Sequence, residues 1–149
     1  MAEKYFNRRE AEELLPMIGH YLEEALQQKR ILDGIATEIS NAALRIMRLG
    51  GSLPPFTELH HKKAQRDKLA EQLARTIDEI QQTGCLVKDL DAGLVDFPSL
   101  RGGEEVYLCW KLGEARIGYW HGIEEGFAGR KPLDDSRPED EPPNSSRVQ

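Results

Sequence analysis

An α+β fold, a long antiparallel helical hairpin followed by a small antiparallel β-meander, is predicted by three features of this sequence. The first is a heptad-like apolar seam from Ile18 to Ile46, and the second a matching stripe from Leu59 to Ile80. Apolar residues every three to four positions mark one face of a helix. The third is a change after Gly84 to short β-type runs separated by turn signals.

The first helix begins at a capping box made by Asn7 and Glu10. Pro16 lies deep enough inside it to remove a backbone hydrogen bond, so a kink or short break is expected between Glu12 and Pro16. The seam then runs Ile18, Leu22, Ala25, Lys29, Leu32, Ala36, Ile39, Ala43, Ile46, with Lys29 as its polar member. Gly34, between the seam residues Leu32 and Ala36, is placed for close approach by a neighbour. "LGGSLPP" (49–55) ends this helix. A second helix is expected with Thr57 as N-cap, running to about Thr83 on the stripe Leu59, Leu69, Ala70, Leu73, Ile77, Ile80. Heptad spacing on both helices predicts coiled-coil-like pairing.

In the β-region, "CLVKD" and "LVDFP" flank "LDAG", where Gly93 suits a left-handed turn position. Counting back from that loop puts Lys88 opposite Asp96 and Val87 opposite Phe97. "SLRGGEE" connects to "VYLCWKL" and "ARIGYWH", which Gly113–Glu114 would join as a two-residue turn. That turn pairs Leu112 with Ala115, Trp110 with Ile117, Leu108 with Tyr119 and Val106 with His121, an apolar face for the helices. The reverse face then carries Tyr107 opposite Trp120, Cys109 opposite Gly118, and Lys111 opposite Arg116. One domain over 1–130 is expected, with the hairpin at 6–83 and the meander at 84–122. The acidic segment 131–149 is expected to be a disordered tail.

The 149 residues carry a net charge of −6, with 31% charged and 39% hydrophobic residues. Mean hydropathy is −0.59 and the pI about 5.3. No apolar run approaches the roughly 20 residues of a membrane span, and no secretory leader is apparent, so a cytoplasmic protein is expected. The charge argues against nucleic acid as partner. Cys85 and Cys109 fit neither a disulfide framework nor a metal-ligand spacing, so both read as buried thiols.

The candidate chemistry is confined to a few residues. Asp96, Glu114 and His121 are of the types that bind a divalent metal, although a two-residue turn would leave Glu114 and His121 roughly 20 Å apart along a strand. "DLDAG" (89–93) lacks the later ligands and the glycine of a calcium loop. Tyr107, Trp120, Lys111, Arg116 and Arg130 form an aromatic and basic set suited to a protein partner or to stacked bases. Lys88 or Arg130 would be the cation that holds an anionic ligand.

"GCLVKDLDAGLVDFP", "VYLCWKLGE" and "IGYWHGIEEGFAGRKPL", behind the element Leu14-Leu15-Pro16, resemble an uncharacterised prokaryotic family catalogued as domain of unknown function 2203. The resemblance runs from about Phe6 to Leu133. It implies that Lys88, Asp89, Asp96, Trp110, Glu114, Trp120, His121, Gly126 and Arg130 hold the family's signature positions, and it carries no activity.

The leading functional expectation is therefore a non-enzymatic homo-oligomeric binding or scaffold protein, most simply a dimer without a cofactor. It would use the aromatic and basic face of the second β-hairpin. The alternatives are a metal-assisted hydrolase acting on an anionic substrate, with Asp96, Glu114 and His121 in the catalytic roles, and single-stranded nucleic-acid binding.

Overall fold

The computed structural model describes residues 4–50 and 55–133 and consists of two helices followed by a five-stranded antiparallel sheet. Helix α1 spans Arg8–Arg48 and α2 spans Pro55–Gln81. The strands are β1 (Leu86–Asp89), β2 (Leu94–Arg101), β3 (Glu104–Lys111), β4 (Tyr119–Gly122) and β5 (Lys131–Pro132), in that order across the sheet. A 3₁₀ turn at Phe127–Gly129 lies between β4 and β5. No helix among the described residues is long and apolar enough to cross a membrane.

The start of α1 follows local chemistry. Asn7 Oδ1 accepts from the Glu10 backbone at 2.7 Å and Glu10 returns the bond to Asn7 N at 3.1 Å. The expected break does not occur, and α1 is continuous through Pro16. Pro16 is exposed, so its ring projects to solvent and not into the core packing. Helix α2 starts two residues before Thr57, with Pro55 at the first helical position, where a missing N–H costs nothing.

The inward seam of α1 departs from expectation after Ala25. It continues through Leu32, Ile35, Ile39, Ala42 and Ile46, while Ala36 and Ala43 are exposed. The two paths have the same period, and the larger side chain takes the inside at 35 because it removes more apolar area from water. Lys29 is not a seam residue; it reaches Asp91 in the β1–β2 loop at 2.8 Å. Nor does Gly34 mediate close packing, since an added Cβ would meet nothing within 4 Å.

Helix α2 answers with Leu59, Lys62, Arg66, Leu69, Leu73, Thr76 and Ile80 at alternating spacings of three and four. Lys62 is half-buried by its stem and carries its ammonium out to Glu38 at 3.0 Å and Glu58 at 3.5 Å. Long cations therefore line part of this seam by keeping only their methylenes inside.

One main core joins the first turns of α1, the end of α2 and one face of the sheet. Phe6, Leu15, Ile18 and Leu22 meet Ile80, Val95, Phe97, Leu108, Trp110 and Ile117. After Leu22, α1 contributes nothing to this cluster, and its later buried residues face α2.

Sheet register decides which side chains leave that core. Strand β1 carries an irregularity between Val87 and Asp89: Leu86 pairs with Asp96 and Val87 with Val95, so neither Lys88–Asp96 nor Val87–Phe97 is a pair. The extra residue is Lys88. Gly93 does take the left-handed conformation, at φ 69°.

In the second hairpin the structure pairs Leu108 with Trp120, Tyr107 with His121 and Cys109 with Tyr119. This is one residue off the two-residue-turn register, and a slip of one reverses every side chain of β4. The chain leaves the ladder after Lys111 and rejoins it at Tyr119, so the connection is longer than Gly113–Glu114 alone. Lys111 pairs with Leu94, and Arg116 lies outside the strands.

The sheet also extends beyond 122. Lys131 pairs with Trp120 and Pro132 with Tyr119, while Leu133 N donates to Gly118 O at 2.9 Å. The expected start of the tail thus falls inside β5, and the remainder of that expected tail, 134–149, lies outside the described residues.

Candidate functional site

Because alternate residues of a strand face opposite sides, Val95 and Phe97 of β2 enter the core and Asp96 leaves it. The same rule sends Leu108 and Trp110 of β3 inward and Tyr107 and Cys109 outward. Asp96 is directly opposite Cys109. The observed β4 register then places His121 beside Tyr107 on this outer face.

An outward face of a sheet is usually wet, yet Asp96, Cys109 and His121 are only 3%, 1% and 3% exposed. The segment 123–130 folds back over them. Together they line a cavity of about 140 Å³ whose other walls include Lys88, Leu94, Tyr107, Ile123 and Phe127. One potential ligand atom from each of Asp96, Cys109 and His121 lies within 4.8 Å of the other two.

The histidine is held at both ring nitrogens. Nδ1 is 2.9 Å from the Gly122 carbonyl and Nε2 is 3.0 Å from Asp96 Oδ1. A carbonyl only accepts, so Nδ1 carries a hydrogen and Nε2 is the nitrogen turned toward Asp96 and Cys109. A histidine whose Nδ1–H is fixed by a backbone carbonyl is oriented to present Nε2 to a metal.

Electrostatics sets the protonation of the other two. Burial pushes the Asp96 carboxyl up, against the opposing hydrogen bond and charge of His121 and the charge of Lys88. Burial, and then the nearby Asp96 charge, pushes the Cys109 thiol up to about 11. Without a cation Cys109 is a thiol, and neither nitrogen of His121 is free to take its proton. The set is therefore not a nucleophile and base.

Arg130 lies beside Cys109 and against Phe127, one of the cavity walls. Its guanidinium makes a two-point ion pair with Glu114, at 2.8 and 3.2 Å, and stacks 3.8 Å from the Tyr119 centroid. Its charge beside Cys109 opposes part of the burial that pushes that thiol up. Glu125 anchors the covering segment by accepting from Gly122 N at 2.9 Å and from Lys131 Nζ at 2.6 Å.

Of the expected site residues, the structure brings Asp96, His121, Tyr107 and Lys88 to one cavity and sets Arg130 at its edge. Glu114 does not join the ligand cluster; it binds Arg130 and accepts from Lys111 N at 2.8 Å. The expected aromatic and basic platform is not assembled. Trp120 packs toward the core between Arg101 and Lys131, at 4.6 and 4.7 Å, because the register slip reverses β4. Arg116 points to Glu12 at 3.8 Å, and Lys111 lies 5.7 Å over Phe127.

Cys109 is the ligand-type residue that a spacing rule passes over. The signal for it was present: Gly102–Gly103 between β2 and β3 is a two-residue turn, and counting back from Arg101 opposite Glu104 reaches Asp96 opposite Cys109.

Neither the curated proteins nor the solved structures contain a match to this chain. A family model described as "Uncharacterized conserved protein (DUF2203)" matches residues 4–133, which takes in both helices, all five strands and every residue of the cavity. The chain belongs to this uncharacterised conserved family, DUF2203.

Proposed function

We propose that this protein binds one divalent transition-metal ion of the zinc class through Asp96 Oδ, Cys109 Sγ and His121 Nε2. The observation that carries the reading is the convergence of three buried ligand atoms within 4.8 Å, with Nδ1 of His121 already held by a backbone carbonyl. A thiolate, an imidazole and a carboxylate suit zinc or cobalt better than magnesium or calcium, which prefer all-oxygen shells. Two anionic ligands balance the charge of the ion, and the ion would offset the burial that pushes the Asp96 carboxyl up.

Structural zinc sites are closed by four protein ligands, whereas catalytic ones keep three and leave a position open. Among the described residues the cluster has three members and faces a cavity. The site is therefore of the catalytic kind, able to polarise an oxygen of a bound small molecule or water. This reading replaces the cofactor-free scaffold expected from the sequence, because the aromatic and basic face on which that expectation rested is split between two sides of the sheet.

Protein purified without chelator and dialysed against trace zinc is expected to retain about one ion per chain, measured by elemental analysis. Its cobalt form should show a thiolate-to-cobalt charge-transfer band that Cys109→Ser abolishes while the fold, read by circular dichroism, is unchanged. Arg130→Ala should weaken the affinity by roughly 10–100-fold, the usual cost of removing an outer partner of a ligand. If Asp96 and His121 are only a buried ion pair, there will be no bound metal and no thiolate band.

We also propose that the chain self-associates through the distal half of the helical hairpin. Leu44, Met47 and Leu49 are 45%, 71% and 56% exposed there, beyond the reach of the main core. Light scattering at micromolar concentration is expected to give a multiple of the 16.9 kDa chain mass, and a value at that mass refutes it.

A further inference from the structure

Strand β1 has its register shift between Val87 and Asp89, which leaves Lys88 without a cross-strand partner. A bulge re-aims the side chain it carries. Here it turns Lys88 into the wall of the same cavity that Asp96, Cys109 and His121 line. Its ammonium rests 5.0 Å over the Tyr107 ring, with no ion-pair partner among the described residues. Of the other charges near the cavity, Glu125 is met by Lys131 at 2.6 Å and Glu114 by Arg130 at 2.8 Å, while Lys111 lies outside the lining, 5.7 Å from the Phe127 ring centroid.

Taking the metal site as given, the charge of the cavity can be counted. A divalent ion held by one carboxylate and one thiolate is neutral, so Lys88 leaves the cavity with a single positive charge. That balance calls for a monoanion. The volume of about 140 Å³ is close to that of a cavity that admits a benzene-sized molecule, which sets the scale at about six heavy atoms. Leu94, Ile123 and Phe127 supply apolar wall beside the polar end.

We propose that the ligand is a small carboxylate, one oxygen taking the open metal position and the other accepting from the Lys88 ammonium, with its short apolar tail against Leu94, Ile123 and Phe127. This rests on the metal reading, and it names the substrate class of that site.

Cobalt-loaded protein titrated with acetate, propionate and inorganic phosphate tests it, with the visible d–d bands reporting the open position and the charge-transfer band reporting the Cys109 ligand. Acetate and propionate are expected to shift the d–d bands saturably, with phosphate weaker than both. Lys88→Ala should leave the charge-transfer band intact and weaken carboxylate binding by about tenfold or more, the scale of one hydrogen bond to a charged group. Lys88→Arg should retain most of the affinity. A charge-transfer band with d–d bands that ignore carboxylates overturns the ligand proposal and leaves the metal site standing, as does an equal response in wild type and Lys88→Ala. Tighter binding of phosphate overturns the choice of a monoanion. Absence of the charge-transfer band removes the metal and this proposal with it.

Discussion

Phe97→Ala is expected to destabilise the fold by about 3–5 kcal/mol, the usual cost of truncating a fully buried aromatic. Phe97 is 0% exposed and meets Phe6 edge-on, with centroids 5.4 Å apart and planes at 81°. Phe6 is itself tied to the sheet, since its N donates to Pro98 O at 2.7 Å and its O accepts from Ser99 Oγ at 2.6 Å. The cavity cannot collapse without pulling that segment off β2, so relaxation recovers little of the loss. With a urea slope of about 1–3 kcal/mol per molar, the midpoint should fall by on the order of 2 M. Leu100→Ala is the control: Leu100 lies on the same strand but is 48% exposed and should stay within about 0.5 kcal/mol of wild type. A Phe97→Ala midpoint close to that of the control would mean that the packing of the sheet on α1 is not as described.

Gly93→Ala should be the most damaging single-methyl change in the β-region. At φ 69° a residue with a Cβ costs roughly 1–2 kcal/mol. The new Cβ would also lie 2.7 Å from Leu112 Cβ, an atom rooted on the backbone that cannot swing away. Overpacking of this kind adds about 1–3 kcal/mol. Gly93 O accepts from Leu112 N at 2.9 Å, so the clash and the hydrogen bond pull on the same residue. Gly102→Ala isolates the two contributions, because Gly102 has a similar φ of 59° and nothing within 4 Å of its Cβ position. Thermal or urea unfolding should show Gly102→Ala losing only the backbone part. Equal losses for the two variants would show that the contact with Leu112 gives way freely.

Much of the fold is legible in local chemistry. The capping box at Asn7, the stripes on both helices, the hairpin and the left-handed Gly93 all depend on residues within one or two turns of each other. Asp96 and His121 also stand out by residue type as ligands. Their meeting with Cys109 was not legible in the same way. It depends on two registers, one read from Gly102–Gly103 by counting and the other set by a connection whose form is not local.

At that second register the local pattern of residues stops deciding the fold and long-range packing takes over. Alternation in "EEVYLCWKL" and "GYWHG" specifies that these are strands and which residues share a face within each. It does not specify which face of β4 joins which face of β3. Between them, the backbone of Ile117 is held by Glu12 of α1 at 3.0 Å, Trp110 Nε1 donates to Glu114 O at 2.8 Å, and Glu114 is clasped by Arg130. The contact to Glu12 spans 105 residues of sequence, and the clasp by Arg130 comes from beyond β4. They hold 112–118 open as a loop where a two-residue turn would have closed. The one-residue difference turns Trp120 toward the core and delivers His121 to Asp96 and Cys109. A hairpin takes its register from its loop, and this loop takes its shape from the helix and the strand that pack against it.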